Sequence, residues 1–234
     1  MGGWTGPFSG DPQWVTTDLA PVPSGTTAAL AFDGDGDWII SNFAGIGGSG
    51  DRTVSFWVSA TTVNNSGIVA WGNSASNGTK WHVRLNTGGT QGPFGGVRTE
   101  IQGFFEIDGP NLADGSWHHV VSVYEASGAF GFGQVSRYAD GILTGQDDLQ
   151  AGTGADNITV NTSTSPTVSG ATYPVVLGGR HQGGLASFNG LIDEVRIYDS
   201  ALTEAQVQAL FIPEPSSIFL CGLSFALGVF LRRR

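Results

Sequence analysis

Lysine is almost missing from this chain: Lys80 is the only one in 234 residues. Charged residues of every kind make up 13% of the sequence, against roughly 25% in an ordinary soluble domain. Cysteine is as scarce. Cys221 stands alone inside an apolar C-terminal run, so residues 1–211 can form no disulfide and no cysteine-based metal centre, and either redox compartment suits them. Positive charge is short as well. Without Arg232, Arg233, Arg234 and Glu214, all near the C-terminus, the remainder carries 7 basic and 19 acidic side chains, net −12. A body so acidic repels nucleic acid, and no role in nucleic-acid binding is assigned to it. The opening Met1-Gly2-Gly3-Trp4-Thr5-Gly6-Pro7 has neither a basic region nor an apolar stretch of the kind that marks a signal peptide. No Gly-x-Ser-x-Gly, P-loop or dinucleotide fingerprint occurs between a strand and a helix.

What the chain has in quantity is glycine, 37 residues, between short segments rich in β-branched and aromatic residues. That rhythm reads as a sandwich or barrel. In Thr53–Ser59, Val54, Phe56 and Val58 share one face; in Trp81–Leu85, Trp81, Val83 and Leu85 face one way and His82 and Arg84 the other. Both are expected to be half-buried strands. Further strands are expected at Ala29–Phe32, Gly67–Trp71, Val97–Ile101, Trp117–Tyr124, Gln134–Tyr138, Tyr173–Leu177 and Leu191–Tyr198. Five Asp-Gly pairs, beginning at Asp33, Asp35, Asp108, Asp114 and Asp140, and two Asn-Gly pairs, at Asn77 and Asn189, supply turns that tolerate positive φ. Asp140-Gly141 is the clearest hairpin. Gly145–Thr172, rich in Gly, Thr, Ser and Asn, reads as a long loop or weak edge strand. One helix is specified: Leu202-Thr203-Glu204-Ala205-Gln206-Val207 places Thr203 and Gln206 as a capping box and Leu202 and Val207 as a hydrophobic staple.

Five motifs in order carry a resemblance. They are Ala29-Leu30-Ala31-Phe32-Asp33-Gly34, Val54-Ser55-Phe56-Trp57-Val58, Trp117-His118-His119-Val120-Val121, Tyr138-Ala139-Asp140-Gly141, and the run Phe188-Asn189-Gly190-Leu191-Ile192-Asp193-Glu194-Val195-Arg196-Ile197-Tyr198. With the helix to Leu210, they resemble the LamG-like, concanavalin A-like jelly-roll family from about Trp14 onward. The resemblance implies an all-β fold, a two-sheet antiparallel jelly-roll sandwich with one short C-terminal helix, over residues 1–211. The family begins with strands that find no counterpart in residues 1–10, so this domain is expected to lack its first strand or strands.

Residues 212–234 have a different character. Pro213-Glu214-Pro215-Ser216 is followed by an apolar run to Leu231 and by Arg232-Arg233-Arg234, an order similar to a PEP-CTERM sorting signal. Ser216–Leu231 as a helix would span about 24 Å, short of the roughly 30 Å hydrocarbon core, a gap for arginine snorkelling or bilayer thinning to close. The basic end should stay cytoplasmic. The resemblance implies an exported protein, held in the inner membrane as precursor and moved to the cell surface or extracellular matrix by an exosortase-type protease that reads Pro213, Glu214 and Pro215. A plain membrane anchor is the simpler alternative.

Chemistry is sparse. The jelly-roll architecture also carries laminarinase-type hydrolases with a Glu-x-Asp-x-x-Glu strand, and Glu106-Ile107-Asp108-Gly109-Pro110-Asn111 matches only its first two positions. Asn111 replaces the acid and cannot deliver a proton, so Glu106 and Asp108 read as solvent-facing residues before a turn. His82, His118, His119 and His181 have no zinc spacing. Trp57 and Trp71 are core residues or sugar-stacking platforms. Asp33-Gly34-Asp35-Gly36-Asp37 opens like an EF-hand loop, but Trp38 and Ala44 stand where it needs Gly and Glu. Asp193 alternates with Val195 and Ile197 and so is expected on the apolar face, where a lone carboxylate is costly. Related domains hold a structural calcium near their first and last strands, which makes Asp37 and Asp193 the calcium candidates. The expected function is a non-catalytic binding or adhesion domain for carbohydrate or exopolysaccharide, with specificity in the loops at one end. No ligand-binding residue is named by the sequence. The alternative is a matrix protein that binds protein partners.

Overall fold

The computed structural model describes residues 8–22, 25–65, 67–88, 92–127, 133–148, 159–164, 173–180 and 187–211. Two seven-stranded sheets face each other. The first contains β1 (Phe8–Ser9), β4 (Trp38–Ile40), β13 (Tyr173–Leu177), β6 (Val69–Gly72), β7 (Lys80–Leu85), β8 (Val97–Ile101) and β9 (Phe104–Asp108), in that order. The second runs β12 (Ile142–Asp148), β11 (Gln134–Ala139), β10 (Trp117–Glu125), β5 (Arg52–Ser59), β14 (Asn189–Tyr198), β3 (Ala29–Asp33) and β2 (Gln13–Val15). Every pairing is antiparallel. The fold is the expected all-β jelly-roll sandwich. Phe8–Ser9 forms a strand where the sequence showed none, and Phe104–Asp108 is a strand despite Pro110.

Apolar alternation builds the core. Val54, Phe56 and Val58 of β5 meet Trp71, Trp81, Val83 and Leu85 of the opposing sheet. Trp81 lies 5.7 Å from Tyr124 and 6.3 Å from Trp71, centroid to centroid, in tilted pairs. Arg52 enters this aromatic wall with its guanidinium 5.4 Å from the Trp81 ring and 5.5 Å from that of Tyr124. Burial lowers its pKa to about 10, so it stays charged at neutral pH. Its donors are used on the carbonyls of Ile46, Gly48 and Gly50 and the hydroxyl of Thr162. One buried cation thereby ties the 46–50 loop to the chain around Thr162, where an isolated bridge joins Gly48 and Thr162. At another border, Arg137 of β11 crosses between the sheets to Asp108 of β9 and also pairs with Asp147 of β12.

The half-buried reading of the central strands is corrected. All eight residues of β5 and all six of β7 are buried. On the second sheet the cover is the helix α1 (Glu204–Phe211) and the segment around Ala20 and Val22. Phe211 stacks on Trp57 at 5.8 Å, and Val207 joins Val121, Val123 and Tyr138. The expected capping box is present: Thr203 N–H donates to Gln206 Oε1 at 2.9 Å, and Gln206 N–H donates to Thr203 Oγ1 at 3.4 Å. Leu202 packs in the cluster that contains Val207, completing the staple. The covering segments are distant in sequence from the strands they bury, so alternation within a strand carries no sign of them.

The expected hairpin at Asp140-Gly141 is a two-residue turn with φ of 51° and 76° between the paired Ala139 and Ile142, the signature of type I′. Asn189-Gly190 makes no turn; it opens β14, and a Cβ on Gly190 would lie 2.4 Å from the Ser59 carbonyl. Of the expected loop Gly145–Thr172, residues 145–148 belong to β12, and most of the rest lies outside the described residues.

Candidate functional site

The outer face of the first sheet is built from the polar halves of β7 and β8. Lys80, His82 and Arg84 point away from the core because Trp81, Val83 and Leu85 point into it. Register then sets His82 opposite Glu100 and Arg84 opposite Arg98. Two arginines directly opposite each other repel. Glu100 relieves the repulsion: Lys80 Nζ approaches one oxygen at 2.5 Å, while Arg98 and Arg84 approach the other at 3.0 and 3.4 Å. Burial pushes the Glu100 carboxyl up, but His82, Lys80 and Arg98 hold it well below the usual carboxylate range.

The cluster is deep. Arg84 is 3% exposed and Glu100 keeps 15% of its side chain in solvent. Burial lowers the Arg84 pKa to about 10, with Arg98 and Arg180 adding to the shift and Glu100 opposing it. Arg180, just after β13, anchors only its Nε, on the Asn65 carbonyl at 2.7 Å. Asn86 receives a long bond from Arg98 and donates to the Pro93 carbonyl. At the rim Phe105 of β9, 37% exposed, lies 3.9 Å from the Arg98 guanidinium, centroid to Cζ. The cations of the cluster are buried, and at its margin the Phe105 ring, part of the Glu100 carboxylate and Arg180 reach solvent. Sequence reasoning missed it because polar residues alternating with apolar ones read as solvent-facing.

The calcium candidates lie apart from this face and differ from each other. Asp37 is almost fully buried, and its two oxygens accept the N–H groups of Asp11 and Asp33 at 2.8 and 3.0 Å. Carboxylate oxygens of Asp11, Asp33 and Asp37 lie within 4.8 Å of one another; Asp193 is not among the three. The expected orientation of Asp193 is corrected as well. A bulge between Asp193 and Arg196, with Glu194 at φ 48°, breaks the alternation. Asp193 pairs with Trp57 and bonds Thr26 Oγ1 at 3.4 Å and Glu194 N–H at 2.8 Å. It is 8% exposed, its Oδ2 has no hydrogen-bond partner, and burial raises its pKa.

The other candidates take structural places. Asn111 Oδ1 accepts the Ala113 N–H in a turn, and Asp108, read from sequence as solvent-facing, pairs with buried Arg137. His118 bridges Asp140 and Asp114 at 2.8 and 3.1 Å. His119, its pKa lowered to about 4 by burial, lies 2.8 Å from Ser55 Oγ and 5.2 Å from the Trp57 ring. Trp71 is buried between the sheets and Trp57 beneath Phe211, so neither can stack on a sugar as the chain stands. His181 and the sorting motif Pro213, Glu214 and Pro215 lie outside the described residues.

Replacing Glu100 by Gln removes the carboxylate that Lys80, Arg84 and Arg98 share, at an expected cost of about 3–5 kcal/mol. The pH dependence has a defined sign. A carboxylate with a depressed folded pKa stabilises above its unfolded value of about 4.5, and that contribution fades as pH falls below it. Urea unfolding at pH 7 and at pH 3 should therefore show a large deficit for Glu100→Gln at pH 7 that narrows at pH 3. A constant deficit would show that the charge of Glu100 is not what stabilises the face.

The fold has parallels among solved structures, all at identities that speak to fold alone. Domain 4 of an extracellular GH43 arabinanase from Geobacillus stearothermophilus, solved with arabinotriose, superposes with a TM-score of 0.59 at 20% identity, over 87% of this chain and 82% of that one. The CBM40 of a Ruminococcus gnavus IT-sialidase, solved with α2,3-sialyllactose, gives 0.52 at 15% identity over 79% and 96%. A SAP-like pentraxin from Limulus polyphemus gives 0.53 at 18% over 79% and 81%. No curated protein matches the chain. The sequence family described as the concanavalin A-like lectin/glucanases superfamily matches residues 24–208. The chain belongs to that superfamily.

Proposed function

We propose that this domain is a non-catalytic carbohydrate-binding module whose ligand lies across the outer face of the first sheet. The observation that carries this reading is the buried donor cluster of Lys80, Arg84 and Arg98 around Glu100, with the exposed Phe105 ring against Arg98. Sugar recognition needs fixed hydrogen-bonding groups for hydroxyls and an aromatic surface for ring faces, and at the margin of this face Arg180 and the edge of Glu100, held by the buried cations, lie with the exposed Phe105 ring. The neighbours solved with arabinotriose and sialyllactose support the same reading. Retaining or inverting hydrolysis needs a carboxylic acid that holds a proton near neutral pH. Glu100 is held far from that state by its cations, and Asn111 has no proton to give. On this reading specificity lies on the sheet face, in contrast to the end loops expected from sequence.

Binding of the whole chain to a panel of neutral and acidic polysaccharides, followed by affinity electrophoresis, should give retardation on at least one with no release of reducing ends. Release of reducing ends would contradict the non-catalytic reading, and mobility unchanged on every polysaccharide would contradict carbohydrate binding.

A structural calcium fits Asp193 better than Asp37. The Asp37 oxygens already hold two backbone N–H groups, whereas Asp193 is a buried carboxylate with one oxygen unpartnered and the Thr26 hydroxyl beside it. Calcium takes six to eight oxygen ligands, and these two side chains would contribute theirs. Bound there, the ion would supply fixed positive charge that lets Asp193 stay ionised. Calcium should raise the melting temperature by several degrees over EDTA, in the parent and in Asp37→Asn but not in Asp193→Asn. An equal rise in Asp193→Asn would move the site elsewhere.

Export rests on residues 212–234. The order Pro213-Glu214-Pro215, apolar run and three arginines supports sorting by an exosortase-type protease. In a host with such a protease the body should reach the cell surface shorter by the tail. Replacing Pro213, Glu214 and Pro215 by alanine should leave it full-length in the membrane fraction; unaltered processing would point to a plain anchor.

A further inference from the structure

Positive charge is concentrated on one face of this chain. Setting aside Arg232, Arg233 and Arg234, the chain has seven lysines and arginines, and four of them, Lys80, Arg84, Arg98 and Arg180, gather at one face of a body whose net charge is −12. Among the described residues Glu100 is the carboxylate that pairs with them. It serves Lys80, Arg84 and Arg98 at once. Arg180, within electrostatic reach of Arg84 and Arg98, makes no ion pair among the described residues. Its one hydrogen bond runs from Nε to the Asn65 carbonyl, so both terminal nitrogens of its fork remain for a ligand. Arg84, nine-tenths buried and more, has an Nε with no hydrogen-bond partner, and its bonds to Glu100 and to the Leu85 carbonyl are both long, at 3.4 Å.

Stability alone does not account for this arrangement. Buried ion pairs barely repay their desolvation even when cations and anions balance. Here two arginines oppose each other across strands, the buried Nε of Arg84 has no hydrogen-bond partner, and Arg180 stands partly exposed at the edge with both terminal nitrogens unused. What would relieve all three is a second anion. The group that the cluster already accepts from within the chain is a carboxylate, that of Glu100. A guanidinium fork takes a carboxylate through two parallel N–H···O bonds.

We infer that the face recognises an acidic glycan, with the carboxylate of a uronic-type or similar sugar held by the terminal nitrogens of Arg180 beside Arg84 and Arg98. The inference rests on the proposal that this face binds carbohydrate, and it names the class of sugar. The rest of the acidic body then works in favour of selectivity: it repels polyanions everywhere except at this face. An acidic polymer would therefore bind in one register, through a small number of contacts.

Isothermal titration of the whole chain with polygalacturonate, carboxyl-reduced polygalacturonate and dextran sulfate tests this directly, in the parent, Arg180→Gln and Arg180→Lys. Arg180 is half-buried at the margin, so both variants should melt within a few degrees of the parent. Polygalacturonate should bind at least about tenfold more tightly than its carboxyl-reduced form, as one charge-assisted bidentate contact implies. Arg180→Gln should erase that preference, and Arg180→Lys, which keeps the charge and loses the fork, should recover only part of it. Equal binding of the reduced polymer, or an unchanged preference in Arg180→Gln, would overturn the acidic-glycan inference and leave carbohydrate binding intact. Tighter binding of dextran sulfate would overturn the choice of carboxylate. Failure of all three polymers to bind would overturn the inference, while the neutral sugars of the wider panel decide the broader proposal separately.

Discussion

Lys80, Arg84 and Arg98 can lie buried on the outer face of the first sheet because the Glu100 carboxylate reaches all three, at 2.5 to 3.4 Å. Remove that contact and the register of β7 against β8 sets two arginines opposite each other in a low-dielectric setting, which neither strand can tolerate. The whole character of the face follows from this constraint. Its donors are fixed in place, its carboxylate stays ionised, and the guanidinium of Arg98 lies against Phe105. Groups held this firmly lose little entropy on meeting a ligand, which is what a binding surface needs.

The two sheets divide the remaining work. The second sheet closes its outer face with apolar material: Phe211 and Val207 of the helix, Ala20 and Val22 from the segment before β3. The first sheet carries charge on its own outer face. Within the sandwich, several polar groups are paired across the sheets or to loops: Arg52 among loop carbonyls and aromatic rings, Arg137 between aspartates, and Thr99 with Ser122 at 2.7 Å. These contacts join strands far apart in sequence and help fix how one sheet lies on the other.

Much of this was legible from the sequence alone. Alternation located nine of the strands, the Asp140-Gly141 pair announced its hairpin, and Thr203 with Gln206 announced the helix start. What escaped was long-range. Nothing in Lys80-Trp81-His82-Val83-Arg84-Leu85 says that its polar half is buried, because the partners Arg98, Glu100 and Arg180 are up to about a hundred residues away. The strand Phe104–Asp108 was hidden by its own acidic residues and by Pro110, and the purpose of Asp108 appears only when Arg137 is seen across the gap. Asp193 was assigned to the wrong face because one bulged residue, Glu194, reverses the parity of the strand. A bulge leaves no mark in a pattern of apolar residues.

If ligand lies on the outer face of the first sheet, the strands of that face should respond to it. Amide chemical shifts of the ¹⁵N-labelled chain, followed as the tightest-binding oligosaccharide is added, test it most directly. The account predicts the largest changes along Lys80–Leu85, Val97–Ile101 and Phe104–Asp108. Changes confined to the end loops, such as Asp33–Asp37 or the Asp140-Gly141 turn, with those three strands unmoved, would contradict it.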